Sequence, residues 1–207
     1  MQQFRITANH LTDIIELLAP PSLQGAGQCV VLDPGHGGYD PGAVGPNGTK
    51  EKDIALLVAM AVGHRLREAG IKTAMTRATD TFVSLADRTT LANKRGDVDC
   101  FVSIHLNAAA NRKASGVEVF HYPGSQEGKL LSSQLLGELL TITIQPKSRG
   151  VKDGSFYVLR HTRMPAALVE LDFLSNPIHE ELFNRPDVLA QYAAAISDGI
   201  LKYLSIK

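Results

Sequence analysis

The fold is decided by two stretches of sequence, CVVLDPGHGG at residues 29–38 and CFVSIHLN at residues 100–107. Each is a short apolar run, rich in β-branched or aromatic residues, that stops at or just before a histidine. Such runs favour β-strands. Because ligands of open α/β sheets bind at the carboxyl ends of parallel strands, two such strands would direct His36 and His105 into one crevice.

The rest of the chain alternates between strand-like and helix-like patterns. Helices are predicted from apolar periodicity, from Ser84 as an N-cap and from Gly70 as a C-terminal stop. Predicted strands cover residues 29–33, 71–76, 99–104, 116–121, 157–159 and 167–171, and predicted helices cover residues 52–69, 84–94, 126–142, 177–183 and 186–204. This alternation predicts a single α/β domain with a mostly parallel sheet and helices on both faces.

The first 27 residues are predicted to be an N-terminal arm or linker, with the globular domain over residues 28–207. A short helix over residues 11–18 would end at Pro20 and Pro21, and the residues after it have the composition of a linker. The N-terminus lacks the charged-then-apolar pattern of a signal peptide.

The composition excludes several classes of protein. A chain of 207 residues suits one domain with a substantial core. The formal net charge is zero, so the basic surface of a nucleic-acid binder is not expected. No apolar stretch approaches the roughly 18 residues of a membrane span. The two cysteines, Cys29 and Cys100, are expected to be buried thiols rather than part of a disulfide framework.

A carboxylate follows the first histidine and completes a possible metal site. Glu51 comes after a loop rich in Gly, Pro and Asn that could fold back over a metal. Two imidazoles and one carboxylate can hold a catalytic zinc and leave one position open for water. We therefore predict one Zn²⁺ ion bound by His36, Glu51 and His105. Taken singly, His36 could be an ordinary loop histidine and Glu51 a charge favoured by the helix dipole.

Hydrolysis also needs a proton acceptor. The best candidate is Glu170, because it follows the apolar run Ala167–Val169 and would be costly to bury without a metal or a partner. Asp172 is a weaker alternative base. Asn107 and Arg160 are possible substrate contacts, although Asn107 could equally cap a loop and Arg160 could be a solvated surface residue.

These residues give the sequence a recognisable pattern over residues 29–204. It resembles the zinc-dependent N-acetylmuramoyl-L-alanine amidases of the type 3 family, which are bacterial or phage cell-wall hydrolases. The motifs here are VLDPGHGG at residues 31–38, EK at 51–52, Leu85, Arg88, AN at 92–93, FVSIHLNA at 101–108, PAALVE at 165–170 and FLSN at 173–176.

The resemblance implies zinc on His36, Glu51 and His105, Glu170 as the catalytic glutamate, and a six-stranded sheet flanked by helices. It also implies peptidoglycan as the substrate, cut at the amide between N-acetylmuramic acid and L-alanine of the stem peptide. Residues 28–207 would then be the catalytic domain of a monomer that works outside the cytoplasm, in the periplasm or cell wall, or as a phage-delivered lysin. Export would require a signal that was removed or another route, and a separate protein could supply targeting or activation.

Two features depart from the family pattern. Asp172 stands where the family usually has glycine, and its charge could alter the pKa of Glu170 or the substrate preference. Some periplasmic relatives carry a long insert before the catalytic glutamate, with a helix that blocks the zinc. Here residues 108–150 are fully used by one strand and one helix, which predicts an open cleft.

Two other functions use the same residues. A zinc carboxypeptidase or endopeptidase acting on the stem peptide would share the metal chemistry and cut a different amide. A non-catalytic module that binds the cell wall would need no general base, so the presence of Glu170 argues against it.

Overall fold

A computed structural model describes residues 8–18 and 27–206. The elements in chain order are α1 (Ala8–Glu16), β1 (Cys29–Pro34), α2 (Glu51–Glu68), β2 (Lys72–Met75), α3 (Leu85–Arg95), β3 (Cys100–Asn107), β4 (Val117–His121), α4 (Gln126–Leu139), β5 (Ser148–Asp153), α5 (Tyr157–His161), β6 (Ala166–Phe173), α6 (Pro177–Phe183) and α7 (Pro186–Ser205). None of the described helices is long and apolar enough to cross a membrane.

The strands form one six-stranded sheet in the order β2-β1-β3-β6-β4-β5. All neighbouring pairs are parallel except β4 and β6, which are antiparallel. Helices α2, α4 and α7 pack on one face around the larger core, whereas α3 and α5 cover part of the other face over a smaller core. The predicted α/β fold with a mostly parallel sheet and helices on both faces is confirmed.

The register of the central strands brings the site residues to one edge of the sheet. Strand β1 runs beside β3, with Pro34 opposite Ile104, and β3 runs beside β6, with His105 opposite Glu170. Strand β4 runs the other way, so Glu118 near its beginning lies opposite Glu170. These pairings place the carboxyl ends of β1, β3 and β6 at a single edge, as the two histidine-bearing runs predict.

The prediction of a strand over residues 157–159 was wrong. These residues begin the short helix α5, in which Arg160 N–H donates to the Phe156 carbonyl at 3.0 Å. The sixth strand is β5, an edge strand that has mostly polar side chains and no buried residue, so it lacks the apolar pattern that marks the others. A short apolar run such as Val158 and Leu159 fits either kind of element, because both residues are buried in a helix here as they would be in a strand.

The N-terminal helix packs onto the domain. Helix α1 begins earlier than the predicted residue 11 and contacts α2 and α7, with Ile14 fully buried between them. Pro20, Pro21 and the linker-like residues up to 26 lie outside the described residues. The division of the chain at residue 27 stays a prediction.

Candidate metal centre

Three side chains from separate parts of the chain converge at the carboxyl edge of the sheet. Nε2 of His36 lies 3.1 Å from Oε1 of Glu51, and Nδ1 of His105 lies 2.8 Å from the same oxygen. One ligand atom from each residue can be chosen so that all three lie within 4.8 Å of one another. The histidine side chains are 26% and 20% exposed, whereas Glu51 is 5% exposed, so the group is open on the side of the histidines.

The loop after β1 is held in an unusual shape that aims His36. His36 itself has a positive φ of 59°, a backbone conformation that residues other than glycine seldom adopt. The guanidinium groups of Arg77 and Arg88 donate to the carbonyls of residues 34–36 at 2.6–3.0 Å. Gly35 is required because a Cβ atom there would overlap the ring of His105. The two arginines and Gly35 therefore fix the distance between the histidines.

Glu51 is anchored by backbone N–H groups outside its own helix. Its Oε1 accepts from the N–H of Leu106 at 3.0 Å, and its Oε2 accepts from the N–H of Ala43 at 2.8 Å. The helix starts at Glu51, so the helix dipole also favours its negative charge. Glu51 can thus be both a charge favoured by the start of the helix and a metal ligand.

The pKa shifts of His36, Glu51 and His105 show that this site favours positive charge around an ionised carboxylate. Burial lowers the pKa of His36, but the hydrogen bonds and charges of Glu51 and Asp40 outweigh it and raise the pKa to about 9. Burial also disfavours the charged form of His105, yet Glu51 raises its pKa. Burial works against ionised Glu51, whereas bonds from His105 and His36 hold its pKa far below the ordinary value. A bound metal ion would replace these protons, so binding should release them.

Glu170 lies beside the three groups at the base of a cleft. It is opposite His105 in the β3–β6 pairing, and its Oε2 atom is buried with no hydrogen-bond partner among the described residues. Burial raises the pKa of Glu170 to about 7, against the opposing effect of His105. A buried carboxylate oxygen without a donor is costly. This atom therefore contributes no hydrogen bond to the fold and is available to a ligand.

The cleft has a volume of about 400 Å³ and is mostly apolar away from the carboxylates and histidines. Its lining consists of Asp33, His36, Asp40, Phe82, Val83, Leu85, Arg88, His105, Phe156, Tyr157, Val158, Leu168 and Glu170. The segment between His105 and Glu170 contributes only one helix to this lining, the five-residue α5, and α4 packs on the opposite face of the sheet. The partial exposure of both histidines agrees with the expected open cleft.

Three residues singled out from the sequence do not face this cleft. The side-chain amide of Asn107 donates to Glu118 at 2.5 Å, so it forms a hydrogen bond inside the protein instead of facing the cleft. Arg160 is exposed and lines a separate depression near Pro165, at the beginning of β6 rather than its end. Asp172 is fully buried and lies 3.0 Å from Nδ1 of His179 in α6.

Asp172 therefore stabilises the fold and does not lie beside Glu170, the candidate base. Its Oδ1 accepts from the N–H groups of Gly116 and Phe173 at 2.8 and 2.7 Å. The irregular β3–β6 register between His105 and Asn107 lets this residue turn away from the side of the sheet that carries Glu170.

Two site residues were missed by sequence reasoning. Oδ2 of Asp40 lies 2.8 Å from Nδ1 of His36, the arrangement in which a carboxylate orients a metal-binding imidazole. Its spacing of four residues from His36 was the available signal. Glu118 gave no such signal, because only the antiparallel pairing of β4 and β6 brings it next to Glu170.

The residues present fit a zinc ion. Two imidazole nitrogens and one carboxylate oxygen form a donor set typical of catalytic zinc. Ligands about 2.1 Å from a tetrahedral zinc lie about 3.4 Å apart, so donors that lie within 4.8 Å of one another need only a small closing movement. The buried, unpartnered oxygen of Glu170 beside them is a second feature that points to a ligand at this place.

Comparisons with known proteins agree on one family. A sequence profile of the Amidase_3 family, described as N-acetylmuramoyl-L-alanine amidase, matches residues 30–202. The amidase AmiA of Escherichia coli is 33% identical over 86% of this chain and 77% of its own length. The germination-specific amidase of Bacillus subtilis is 34% identical over 91% of this chain and 84% of its own length.

Solved structures show the same similarity. The N-acetylmuramoyl-L-alanine amidase of Clostridium difficile 630 superposes with a TM-score of 0.84 at 34% identity, covering 88% of this chain and all of the other. The amidase AmiC2 of Nostoc punctiforme superposes with a TM-score of 0.82 at 37% identity, covering 87% of this chain and 99% of the other.

Proposed function

Because this chain belongs to the Amidase_3 family of N-acetylmuramoyl-L-alanine amidases, we propose that His36, Glu51 and His105 hold its catalytic zinc and that Glu170 is its general base. As a member of the family it is a peptidoglycan hydrolase, which cleaves the amide between N-acetylmuramic acid and L-alanine of the stem peptide. The observation that carries the proposal is the convergence of the three donor atoms beside the unpartnered carboxylate oxygen of Glu170.

Each ligand has a defined role in holding the ion. His105 and His36 would bind through the nitrogens that now face Glu51, and Asp40 would keep the ring of His36 in the required orientation. When bound, the zinc lowers the pKa of water and polarises the substrate carbonyl.

Glu170 supplies the proton transfers. A carboxylate with a pKa near 7 can accept a proton from the attacking water and release it again within the same cycle. In this reaction Glu170 takes the water proton and delivers it to the alanine nitrogen as the carbon–nitrogen bond breaks. The buried position of its Oε2 keeps bulk water from competing for that proton.

The cleft determines how the substrate lies. Phe82 and Leu85 on one side and Phe156 and Tyr157 on the other form apolar walls beside the catalytic groups. Such walls exclude water and can pack against the sugar ring and its methyl groups. We place the enzyme at the cell wall, because its substrate is there. The CwlD amidase of Clostridioides difficile, 31% identical to this chain, was solved in complex with the GerS lipoprotein, which supports regulation by a separate protein here too.

The test is digestion of purified peptidoglycan by the zinc-loaded protein, with the products identified by mass spectrometry. We expect stem peptides that begin with a free L-alanine amine, together with intact glycan chains. Glu170→Ala should release none, whereas Glu181→Gln, which alters an exposed glutamate of α6, should release them at the normal rate. Shortened stem peptides still attached to the glycan would indicate a peptidase instead.

A further inference from the structure

We propose that Arg149 and Lys152 form a subsite for a carboxylate of the stem peptide, on the side of Glu170 away from the apolar cleft. The inference rests on the proposed function, because it takes the scissile amide to lie beside Glu170. It assigns the two halves of the substrate to two surfaces of different character.

The subsite is built on the sheet itself. Glu118 lies opposite Glu170 in the antiparallel pairing of β4 with β6, so its Cβ atom is about 5 Å from that of Glu170 on the same side of the sheet. Phe120, two residues further along β4, pairs with Lys152 of the parallel strand β5. Glu118 thus continues the row of side chains that begins with His105 and Glu170. Phe120 pairs with Leu168, so Lys152 lies in the neighbouring row and reaches Glu118 from there.

Both cations are held in place by the same buried carboxylate. Nε of Arg149 donates to Oε2 of Glu118 at 3.1 Å, and Nζ of Lys152 donates to the same oxygen. The Glu118 side chain is only 6% exposed, whereas Arg149 and Lys152 are 35% and 39% exposed. One negative charge is thus shared by two positive charges, and the cluster presents one net positive charge to solvent.

Aromatic rings and a glycine fix the positions of the two cations. The guanidinium of Arg149 lies 4.9 Å from the centre of the Phe173 ring, and the ammonium of Lys152 lies 5.8 Å from the centre of the Phe120 ring. The stem of Arg149 packs where a Cβ atom of residue 116 would otherwise lie, so Gly116 leaves room for it. Side chains held in this way lose little conformational entropy when they bind an anion.

The remaining hydrogen-bond donors are free to face a ligand. Arg149 has five N–H groups and Lys152 has three. Among the described residues, Glu118 accepts one bond from each, and Arg149 makes one further contact of 3.5 Å with the Ser115 carbonyl. A carboxylate could accept from the outer donors without breaking either bond to Glu118.

The character of the two surfaces indicates which half of the substrate each one binds. Away from its histidines, its carboxylates and Arg88, the cleft beside Glu170 is lined by apolar and aromatic side chains such as Phe82 and Phe156, which suits the muramic acid half. Phe156 of the cleft wall contacts Phe120, with ring centres 5.0 Å apart, and Phe120 in turn lies beside Lys152, so the cleft and the cations meet at these two rings. The peptide half carries carboxylates, so its charge matches the cationic side.

The distance between strands limits which carboxylate can reach. Strand β5 is two strands away from β6, a distance of about 10 Å. An extended peptide spans about 3.4 Å per residue, so a carboxylate within about three residues of the scissile amide can reach the two cations.

The experiment compares two N-acetylmuramoyl tripeptides, in which the carboxylates of the second and third residues are either all free or all amidated. Binding is measured calorimetrically on zinc-loaded Glu170→Gln protein, and kcat/KM is measured on the protein with Glu170 intact. We expect the free form to bind about tenfold more tightly. This corresponds to the lower end of the range of affinity gains given by a hydrogen bond to a charged group. Lys152→Gln should reduce this preference and Arg149→Gln/Lys152→Gln should abolish it, whereas Lys129→Gln, which alters an exposed residue of α4, should leave it unchanged.

The variants are chosen so that folding and catalysis do not confuse the result. The amide of glutamine can still donate to Glu118, which avoids leaving a buried carboxylate unpaired, and Lys152→Arg should restore the preference. Equal affinity for the two tripeptides, or a preference that the double variant keeps, would overturn the subsite. A loss of kcat that is equal for both tripeptides would overturn it as well, because it would assign the cations to Glu170 rather than to the substrate. Absence of cleavage by the intact protein would overturn the proposed function, while the binding comparison would still decide the subsite.

Discussion

Replacement of Arg88 by methionine should destabilise the protein strongly, although Arg88 is neither a proposed metal ligand nor the proposed base. Its NH1 donates to Oδ1 of Asp33 at 2.7 Å, and both side chains are at most 3% exposed. Asp33 also accepts from the hydroxyls of Thr76 and Ser103 at 2.6 and 2.7 Å. Arg88→Met would remove the positive charge from this buried network and leave the negative charge of Asp33 in place.

The size of the effect follows from the burial of the pair. Breaking a buried ion pair by removing one partner costs about 3–5 kcal/mol, because an uncompensated charge remains. For a domain of this size each kcal/mol lowers the melting temperature by about 2–4 °C, so the expected decrease is about 6–20 °C. The loop carbonyls of Pro34 and His36 lose a donor at the same time, which adds to the cost.

The assay is urea unfolding of the metal-free protein, followed by circular dichroism, for Arg88→Met, Asp33→Asn and the double variant. We expect the double variant to be less destabilised than the sum of the single variants, because removing both charges leaves none unpaired. Arg185→Met, which breaks an exposed pair with Asp187, should barely move the midpoint. A loss of less than about 1 kcal/mol for Arg88→Met would refute the reasoning, since that is the range of surface pairs.

Four further results are expected. The kcat/KM of the amidase should rise with pH as the Glu170 carboxyl ionises, at or below its metal-free pKa of about 7, since a bound cation lowers it; a profile that falls over this range would contradict its role as a base. In the metal-free protein the raised pKa of Glu170 means that the folded state binds more protons than the unfolded state, so the free energy of unfolding should decrease from about pH 4.5 to 7, and Glu170→Gln should flatten that slope in urea titrations. Asp40→Asn should weaken zinc binding about 10- to 100-fold by freeing the ring of His36, measured by competition with a chelator, and an unchanged affinity would remove Asp40 from the site. Gly35→Ala should reduce the zinc content of the purified protein, because the added methyl group overlaps His105; full occupancy would show that the loop can move aside.

The sequence was sufficient to predict the fold class and the convergence of the proposed metal ligands. Strands β1, β3 and β6 begin with buried apolar runs that lead to His36, His105 and Glu170. The rule that parallel strands carry ligands at their carboxyl ends is enough to bring His36, His105 and Glu170 together. The polar edge strand β5 was not predictable, since nothing in its side chains marks a buried face.

The supporting residues were less accessible to sequence reasoning, because their roles depend on which strands become neighbours. Glu118 matters only because β4 pairs with β6 in the antiparallel sense, and nothing in its local sequence signals that pairing. Asp172 was expected to influence Glu170 from nearby in the chain. The irregular register of β6 instead turns it toward His179 and away from the cleft.

The central claim is that three ligands hold the metal while a fourth residue performs the proton transfers. The most direct measurement is the zinc content of each purified variant, set against its rate of amide cleavage on peptidoglycan. We expect Glu170→Gln to hold one zinc per chain and to be nearly inactive, and His36→Ala and His105→Ala to lose both zinc and activity. Normal turnover by Glu170→Gln, or full zinc occupancy in both histidine variants, would contradict the account.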